Sequence, residues 1–235
     1  MKASIFMSTY NKNDVLPNVL YSIARQKTDI PFEVCIVDDC SDVSPVPIIK
    51  EFLPEARILE NDKNFGPFII SGWCLDMIAD DSDIIIMQSA DVIWSQDTIL
   101  QELCEGVSDK TIALVRVSNA SRELAPPDMY KDFEGGVKAV TEGWSTGTQV
   151  CRFGEGGRWY FFLGAILRRD FESMKTREPF CDEMLHRMMQ SEGLKVNDMS
   201  HLRGIHQEHP EYWKECPYMD TCDIHCRVQA HFNGR

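Results

Sequence analysis

The chain has 235 residues, 43% of them hydrophobic and 26% charged, which describes a folded globular protein long enough to bury one substantial core. Its formal net charge of −13 at pH 7 disfavours long-range attraction to nucleic acid or to an anionic membrane surface. No apolar run approaches the roughly 18 residues of a membrane span, so we expect a protein of the cytoplasm.

Alternation of apolar runs with helical patterns dominates the first half of the chain. The predicted strands cover residues 3–7, 32–37, 57–60, 84–87 and 111–117. The predicted helices cover residues 13–25, 45–52, 68–79 and 97–105, with Asn13 or Asp14 as the cap of the first. This order is typical of a parallel α/β sheet with right-handed crossovers.

The run of residues 84–87 is apolar throughout, which is typical of a strand buried on both faces, and Asp91 follows it. Carboxyl ends of parallel strands face the ligand crevice, so Asp91 is a candidate ligand- or metal-binding residue. Alternatively, it is a strand-end turn aspartate. After the second strand, Asp38, Asp39 and Asp42 form an acidic cluster that contacts a ribose, a base or a metal, or that makes an Asp-rich turn.

The second half of the chain is less regular. Residues 118–157 are rich in Gly, Pro, Ser and Thr, and we interpret them as a lid or acceptor-side loop. A strand at 159–168 is interrupted by Gly164, which would let a ligand approach the backbone. A helix at 181–189 opens with Asp182 and Glu183, which either complement the helix dipole or place a base in the crevice.

The nine cysteines are an odd number without a CxxC pair, and Cys35, Cys74 and Cys104 fall in core-like segments. This pattern favours reduced thiols and a reducing compartment. In the tail, residues 206–209 and 222–226 combine His and Cys at spacings that a zinc ion could use. We expect one domain, 1–235, with a regular first half at 1–117, a less regular second half at 118–209, and a Cys/His-rich tail at 210–235.

Several of these segments, in this order, resemble glycosyltransferase family 2, whose members use nucleotide-sugars and have the GT-A fold. Ser-Thr-Tyr-Asn at 8–11 is similar to the family's TYN, and residues 37–42 resemble its VDDGSxD. Residues 61–66 are similar to its N-x-G loop, and Gly204-Ile-His206 lies where many members have a metal-binding histidine. The resemblance covers about residues 2–209.

Three further segments match the family with differences. Gln88-Ser-Ala-Asp91 lies where the family has its DxD-like metal element, but Ser89 takes the place of the first Asp. Residues 162–169 are similar to the acceptor-side GaxxxxRR strand. Residues 182–187 resemble a compressed ED-x-x-L-x-x-R helix, whose Asp is the catalytic base of inverting members.

The resemblance implies an α/β GT-A (Rossmann-like) fold, with a mostly parallel sheet flanked by helices. It implies that residues 1–117 are the nucleotide-sugar-binding half and residues 118–209 the acceptor and catalytic half. It implies catalysis by Asp182 or Glu183, acceptor contacts near Trp144, Trp159, Gly164 and Ala165, and a Mn²⁺ or Mg²⁺ site at Asp91 with His206 or, as second choice, His209. The implied nucleotide-binding residues are Thr9, Tyr10, Asn11, Asp38, Asp39, Asn64, Gly66, Ser89 and Ala90.

The expected function is metal-assisted, inverting transfer of a sugar from a nucleoside diphosphate donor, a UDP-sugar, to a hydroxyl of a glycan or other acceptor. The alternative is an inactive nucleotide- or sugar-binding GT-A module or a zinc-stabilised interaction domain, as Ser89 and the Cys/His-rich tail suggest. A nucleotidyltransferase is disfavoured, because no Gly-rich, Lys-bearing phosphate loop lies near the amino terminus.

Overall fold

A computed structural model describes residues 1–66, 70, 72–143, 163–174 and 191–207 of the protein. The strands are β1 (Ala3–Thr9), β2 (Phe32–Asp38), β3 (Arg57–Glu60), β4 (Ile84–Ser89), β5 (Val92–Trp94), β6 (Thr111–Ala120), β7 (Leu163–Leu167) and β8 (Lys195–Gln207). The helices are α1 (Leu16–Ala24), α2 (Val46–Phe52), α3 (Cys74–Met77), α4 (Ile99–Gly106), α5 (Phe133–Gly143) and α6 (Arg168–Ser173). A 3₁₀ helix, Met129–Asp132, precedes α5.

The strands form one mixed sheet in the order β3-β2-β1-β4-β7-β6-β8-β5. The pairs β1–β2, β1–β4, β2–β3 and β6–β8 are parallel, which confirms the mostly parallel α/β sheet predicted from the sequence. β7 lies between β4 and β6 and is antiparallel to both, while β5 is antiparallel to β8. The early strands therefore occupy one side of the sheet and the late strands the other, except for the short β5 at the far edge.

Both faces of the sheet are buried, as the unbroken apolar strands predict. In β4, Ile84 and Ile86 join a core cluster with residues of α1, α2 and α4, whereas Ile85 joins a second cluster with Leu75 of α3 and Phe171 of α6. All three isoleucines have no solvent-exposed surface. β4 is thus a central strand covered by helices on both sides, and its carboxyl end is held firmly in place.

The predicted cap of α1 is wrong. The helix begins after Val15 without a side-chain cap. Asn13 instead donates to the carbonyl of Val43 at 2.9 Å, and Asp14 accepts from Arg122 at 2.7 Å. Both side chains make contacts with distant segments, so neither reaches the free amides of the first turn.

The interpretation of residues 118–157 as a loop is also wrong for residues 118–120 and 129–143, whereas residues 121–128 do form irregular turns. β6 continues to Ala120, and α5 occupies 133–143. Phe133, Val137 and Val140 lie at helical spacing and pack against the core, where the ring of Phe133 lies 5.3 Å from that of Tyr21. Adjacent glycines at 135 and 136 gave this segment the composition of a loop.

The described cysteines support the prediction of reduced thiols. Cys35, Cys40, Cys74 and Cys104 are free, and burial raises the pKa of Cys35 and of Cys104 to about 12. Within the described ranges, no helix is both long and apolar enough to cross a lipid bilayer.

Candidate functional site

The candidate site lies where three parallel strands end together. The register of β1 places Thr9 beside Asp38 of β2, and Ser8 beside Ser89 of β4. The backbone amide of Asp39 donates to the carbonyl of Thr9 at 2.9 Å, which holds the carboxyl ends of β1 and β2 side by side. Most of the residues that the resemblance assigns to the nucleotide therefore lie along one edge of the sheet.

Asp38 and Asp39, which follow each other at the end of β2, make different contacts. Asp39 holds the 61–66 loop, since its carboxylate accepts bonds from the amides of Phe65 and Gly66 at 2.8 and 2.7 Å and from Asn61 Nδ2 at 3.0 Å. Asp38 accepts from the hydroxyl of Ser41 at 2.5 Å. Burial raises the pKa of Asp38, although its two bonds from Ser41 act in the opposite direction.

Asn11 joins the turns after β1 and β2. Its amide donates to Ser41 Oγ at 2.9 Å, its Oδ1 accepts from the amide of Asp42 at 2.8 Å, and its Nδ2 donates to the Asp42 carboxylate at 3.1 Å. Asn11 has φ 50° and Cys40 has φ 67°, a left-handed backbone that Asn adopts more readily than Cys. Cys40 stands where the family sequence has Gly, and the turn keeps the conformation that Gly favours.

Asp91 is a buried carboxylate of the candidate site and is 3% exposed. Ser89, which replaces the first Asp of the DxD-like element, donates its hydroxyl to Asp91 Oδ1 at 2.6 Å. The other oxygen, Oδ2, pairs with the ammonium of Lys12 and lies 3.6 Å from Nε2 of His206. The structure therefore brings Asp91 and His206 together although 115 positions separate them in the sequence.

β8 carries His206 to Asp91 through its antiparallel pairing with β5. Val92 pairs with His206, and the amide of Gln207 donates to the carbonyl of Asp91 at 2.9 Å. The side chain of Gln207 is fully buried, where it accepts from Asn18 Nδ2 at 2.7 Å and donates to the carbonyl of Val15 at 3.2 Å. This network ties the end of β8 to α1 and holds His206 in place.

Three buried side-chain oxygens at or near this edge have no hydrogen-bond partner in the described part of the chain: Thr9 Oγ1, Asn13 Oδ1 and Asn64 Oδ1. Buried polar atoms are normally paired, so unpaired ones indicate places where a ligand or water completes the bonding. Thr9 and Asn64 are both among the nucleotide-binding residues that the resemblance implies.

Other predicted site residues lie deeper or outside the described ranges. Ala90 is 2% exposed and packs in the core. Gly164 and Ala165 pair with Met87 and Ile86 of β4, inside the sheet. The residues outside the described ranges are Trp144, Trp159, Asp182, Glu183, His209 and residues 222–226 of the suggested zinc site.

Lys12 and Gln207 were missed by the sequence reasoning. Lys12 could have been found from its position immediately after Thr-Tyr-Asn at the end of a strand. A lysine at that position can contact a ligand that binds at the carboxyl ends of the strands. The signal for Gln207 is weaker, because its role depends on the pairing of two strands that lie far apart in the sequence.

The described residues suit a hard divalent cation only in part. They include no group of three or more His, Cys, Asp and Glu side chains that could hold a metal ion. Asp91 and His206 supply one carboxylate oxygen and one imidazole, and Mg²⁺ sites in nucleotide enzymes commonly have one or two protein ligands completed by substrate phosphates. These two ligand side chains therefore fit a divalent cation that binds together with a diphosphate.

Comparison with solved structures supports the predicted GT-A-like fold. Staphylococcus aureus TarS 1–349 in complex with UDP-GlcNAc matches 97% of this chain and 64% of its own with a TM-score of 0.65 at 14% identity. The mannosyltransferase PcManGT from Pyrobaculum calidifontis, in complex with GDP-Man and Mn²⁺, matches 91% of this chain and 59% of its own with a TM-score of 0.59 at 16% identity. Both likenesses concern the fold, and they confirm the fold class.

Sequence comparison reaches further. An uncharacterized glycosyltransferase of Bacillus subtilis (strain 168), YwdF, is 41% identical over 91 residues, which are 35% of this chain. The match spans 33% of that relative, about a third of its length. The model of Glycosyl transferase family 2 matches residues 4–163, which include the strand ends at Thr9, Asp38 and Ser89. The chain therefore belongs to glycosyltransferase family 2.

Proposed function

We propose that the protein transfers a sugar from a nucleoside diphosphate donor, a UDP-sugar, to a hydroxyl group of an acceptor. The observation that carries this proposal is the pairing of Asp91 with His206 at the sheet edge where β1, β2 and β4 end. A carboxylate, an imidazole and an ammonium there form a site with the chemistry of diphosphate binding.

The donor half of the proposal rests on the residues around this edge. Thr9 and Asn64 offer buried oxygens that can accept bonds from a base or a ribose, and Asn11 and Asp39 shape the turns around them. The TarS complexes contain UDP-GlcNAc or UDP, whereas the PcManGT complex contains GDP-Man. A uracil nucleotide is thus our first choice and a guanine nucleotide the alternative to test.

Asp91 and His206 would hold the divalent cation, Mn²⁺ or Mg²⁺. The bound ion would neutralise the negative charge that develops on the leaving diphosphate. Ser89 fixes the orientation of the Asp91 carboxylate, and Gln207 fixes the strand that carries His206. Lys12 adds a further positive charge on the same side.

Acceptor activation is assigned to Asp182, with Glu183 as the alternative. A carboxylate opposite the leaving group takes the proton of the acceptor hydroxyl while its oxygen attacks the anomeric carbon, and such a base contributes about 10²–10⁴-fold. Attack from the opposite side inverts the anomeric centre. Trp144 and Trp159 are proposed to contact the acceptor, a glycan or another hydroxyl compound.

The free thiols of the described cysteines support a reducing compartment, the cytoplasm.

Donor hydrolysis tests this function without knowledge of the acceptor. UDP-sugars and GDP-mannose are incubated with Mn²⁺, and release of the nucleoside diphosphate is measured. Asp91→Asn is expected to lower release of the nucleoside diphosphate at least about 100-fold, because the divalent cation loses the carboxylate that would hold it. Asp170→Asn is the matched control, since Asp170 is equally buried at 3% exposure but bonds to the amide of Lys110, at the amino end of β6. Release that is unchanged in Asp91→Asn would contradict the proposal.

Ser89 in place of the expected aspartate favours a second candidate, a nucleotide- or sugar-binding module without turnover. Calorimetry with UDP, with and without Mn²⁺, separates the two when it is combined with the hydrolysis assay. Binding of UDP without release of product from any donor would support the binding module. One equivalent of zinc in the purified protein without nucleotide binding would instead support an interaction domain.

A further inference from the structure

Lys12 holds Asp91 by an ion pair that is only slightly accessible to water. The side chain of Lys12 is 18% exposed and that of Asp91 is 5% exposed, so solvent and salt screen the pair weakly. The carbonyl of Lys12 accepts bonds from the amides of Val15 and Leu16 at 3.0 and 2.9 Å, which fixes its backbone. The part of the residue that can move is therefore its flexible four-carbon side chain.

The ammonium lies at the carboxylate oxygen that a metal ion would need. Ser89 donates to Oδ1 of Asp91 at 2.6 Å, while Oδ2 faces both Lys12 and His206. Two cations at one oxygen repel each other strongly in a partly buried site. A metal ion that binds Asp91 and His206 must therefore displace the ammonium of Lys12 from Oδ2.

A diphosphate would give the displaced ammonium a new partner. Lysine binds phosphate well as a compact point charge, and its side chain can turn without movement of the backbone. We propose that Lys12 and the divalent cation compete for Asp91, and that a nucleoside diphosphate ends this competition by drawing the ammonium onto its phosphates. The free protein then binds metal weakly, and nucleotide binding makes the metal site available. This inference rests on the proposed function, because it takes a nucleoside diphosphate as the ligand.

The test is a titration of the protein with Mn²⁺ alone, followed by the electron paramagnetic resonance signal of free Mn²⁺. Lys12→Met is expected to bind Mn²⁺ at least about tenfold more tightly than the wild-type protein, because no charge-assisted bond has to be broken first. Addition of UDP is expected to tighten Mn²⁺ binding by a larger factor in the wild-type protein than in Lys12→Met. Lys12→Gln repeats the measurement should the Met variant fail to fold.

Three further variants locate the effect. Lys12→Arg keeps the positive charge and is expected to bind Mn²⁺ as weakly as the wild-type protein. Lys27→Met breaks another lysine–aspartate pair, that with Asp97 at 2.6 Å, and is expected to leave Mn²⁺ binding unchanged. Adding Asp91→Asn to Lys12→Met is expected to abolish the gain in affinity, since the gain depends on the Asp91 carboxylate that Lys12 no longer contacts.

The competition is refuted if Lys12→Met binds Mn²⁺ no more tightly than the wild-type protein, or does not bind it at all. It is also refuted if the wild-type protein binds Mn²⁺ tightly without nucleotide. The proposed function fails in a different way, by an absence of calorimetric heat for UDP and GDP in the presence of Mn²⁺. In that case the affinities for Mn²⁺ alone still decide whether Lys12 competes for Asp91.

Discussion

Asn18 of α1 holds together the network that positions His206, and its replacement by Leu tests that role. Asn18 is fully buried. Its Nδ2 donates to the carbonyl of Pro126 at 2.8 Å and to Gln207 Oε1 at 2.7 Å, and its Oδ1 accepts from the amide of Tyr130 at 2.9 Å. Leucine has the same number of side-chain heavy atoms and the same branching at Cγ, so Asn18→Leu removes these bonds without leaving a cavity.

The cost follows from the three groups that lose a partner. Gln207 has no exposed surface, and its Oε1 loses the bond from Asn18 Nδ2, which costs about 1–3 kcal/mol for a buried unsatisfied group. Pro126 and Tyr130 are half-buried and can recover part of their bonding from water, so each loses about 0.5–1 kcal/mol. We expect Asn18→Leu to lower the free energy of unfolding by about 2–5 kcal/mol. This corresponds to a decrease in Tm of about 5–15 °C for a domain of this size.

Urea unfolding at 25 °C, followed by tryptophan fluorescence, measures this loss, since Trp94 is fully buried. The matched control is Asn197→Leu, because Asn197 is half-buried and donates one bond, to the carbonyl of Gly106 at 2.9 Å. We expect a loss of about 1 kcal/mol or less in the control. A loss in Asn18→Leu no larger than that of the control would refute the assignment of Asn18 as the centre of this network.

Three other substitutions test separate features of the fold. Cys40→Gly is expected to raise the free energy of unfolding by about 0.5–1 kcal/mol in urea, because Gly adopts φ 67° without strain. Burial of Glu33 opposes its ionisation, but bonds from Ser4 and Ala79 prevail and lower its pKa. Its stabilising effect is present above the usual glutamate pKa and is lost as the pH falls through the lowered value, so Glu33→Gln should flatten the decline of stability between about pH 5 and 3. Gly204→Ala should cost about 1–3 kcal/mol in thermal unfolding, since its Cβ would lie 3.0 Å from two valine side chains. A steeper acid decline in Glu33→Gln, or no change in the other two, would contradict these assignments.

Local sequence patterns were sufficient where an element depends on its own residues. β3 has the predicted bounds, β2 differs by one residue at its end and α2 by one at its start. Apolar strand runs and turn residues at their ends decide such elements. The position of Asp91 near the carboxyl ends of β1, β2 and β4 also followed from a local rule, because parallel strands end on the same side of the sheet.

Pairing between distant segments could not be read from the sequence. The antiparallel contact of β5 with β8 joins Val92 to His206, and no local pattern indicates which late strand would cover the short β5. The family resemblance indicated His206 as a partner of Asp91, but it did not indicate Lys12, whose side chain reaches Asp91 across 79 positions. The helix α5 was missed because two adjacent glycines outweighed the helical spacing of Phe133, Val137 and Val140.

The central claim is that Asp91 and His206 hold a metal ion together with a nucleoside diphosphate. Anomalous diffraction at the manganese edge, from crystals soaked with UDP and Mn²⁺, measures this directly. We predict one strong peak about 2–2.3 Å from Asp91 Oδ2 and from His206 Nε2, with diphosphate density beside it. A manganese peak elsewhere in the molecule, or nucleotide density away from the carboxyl ends of β1, β2 and β4, would contradict the account.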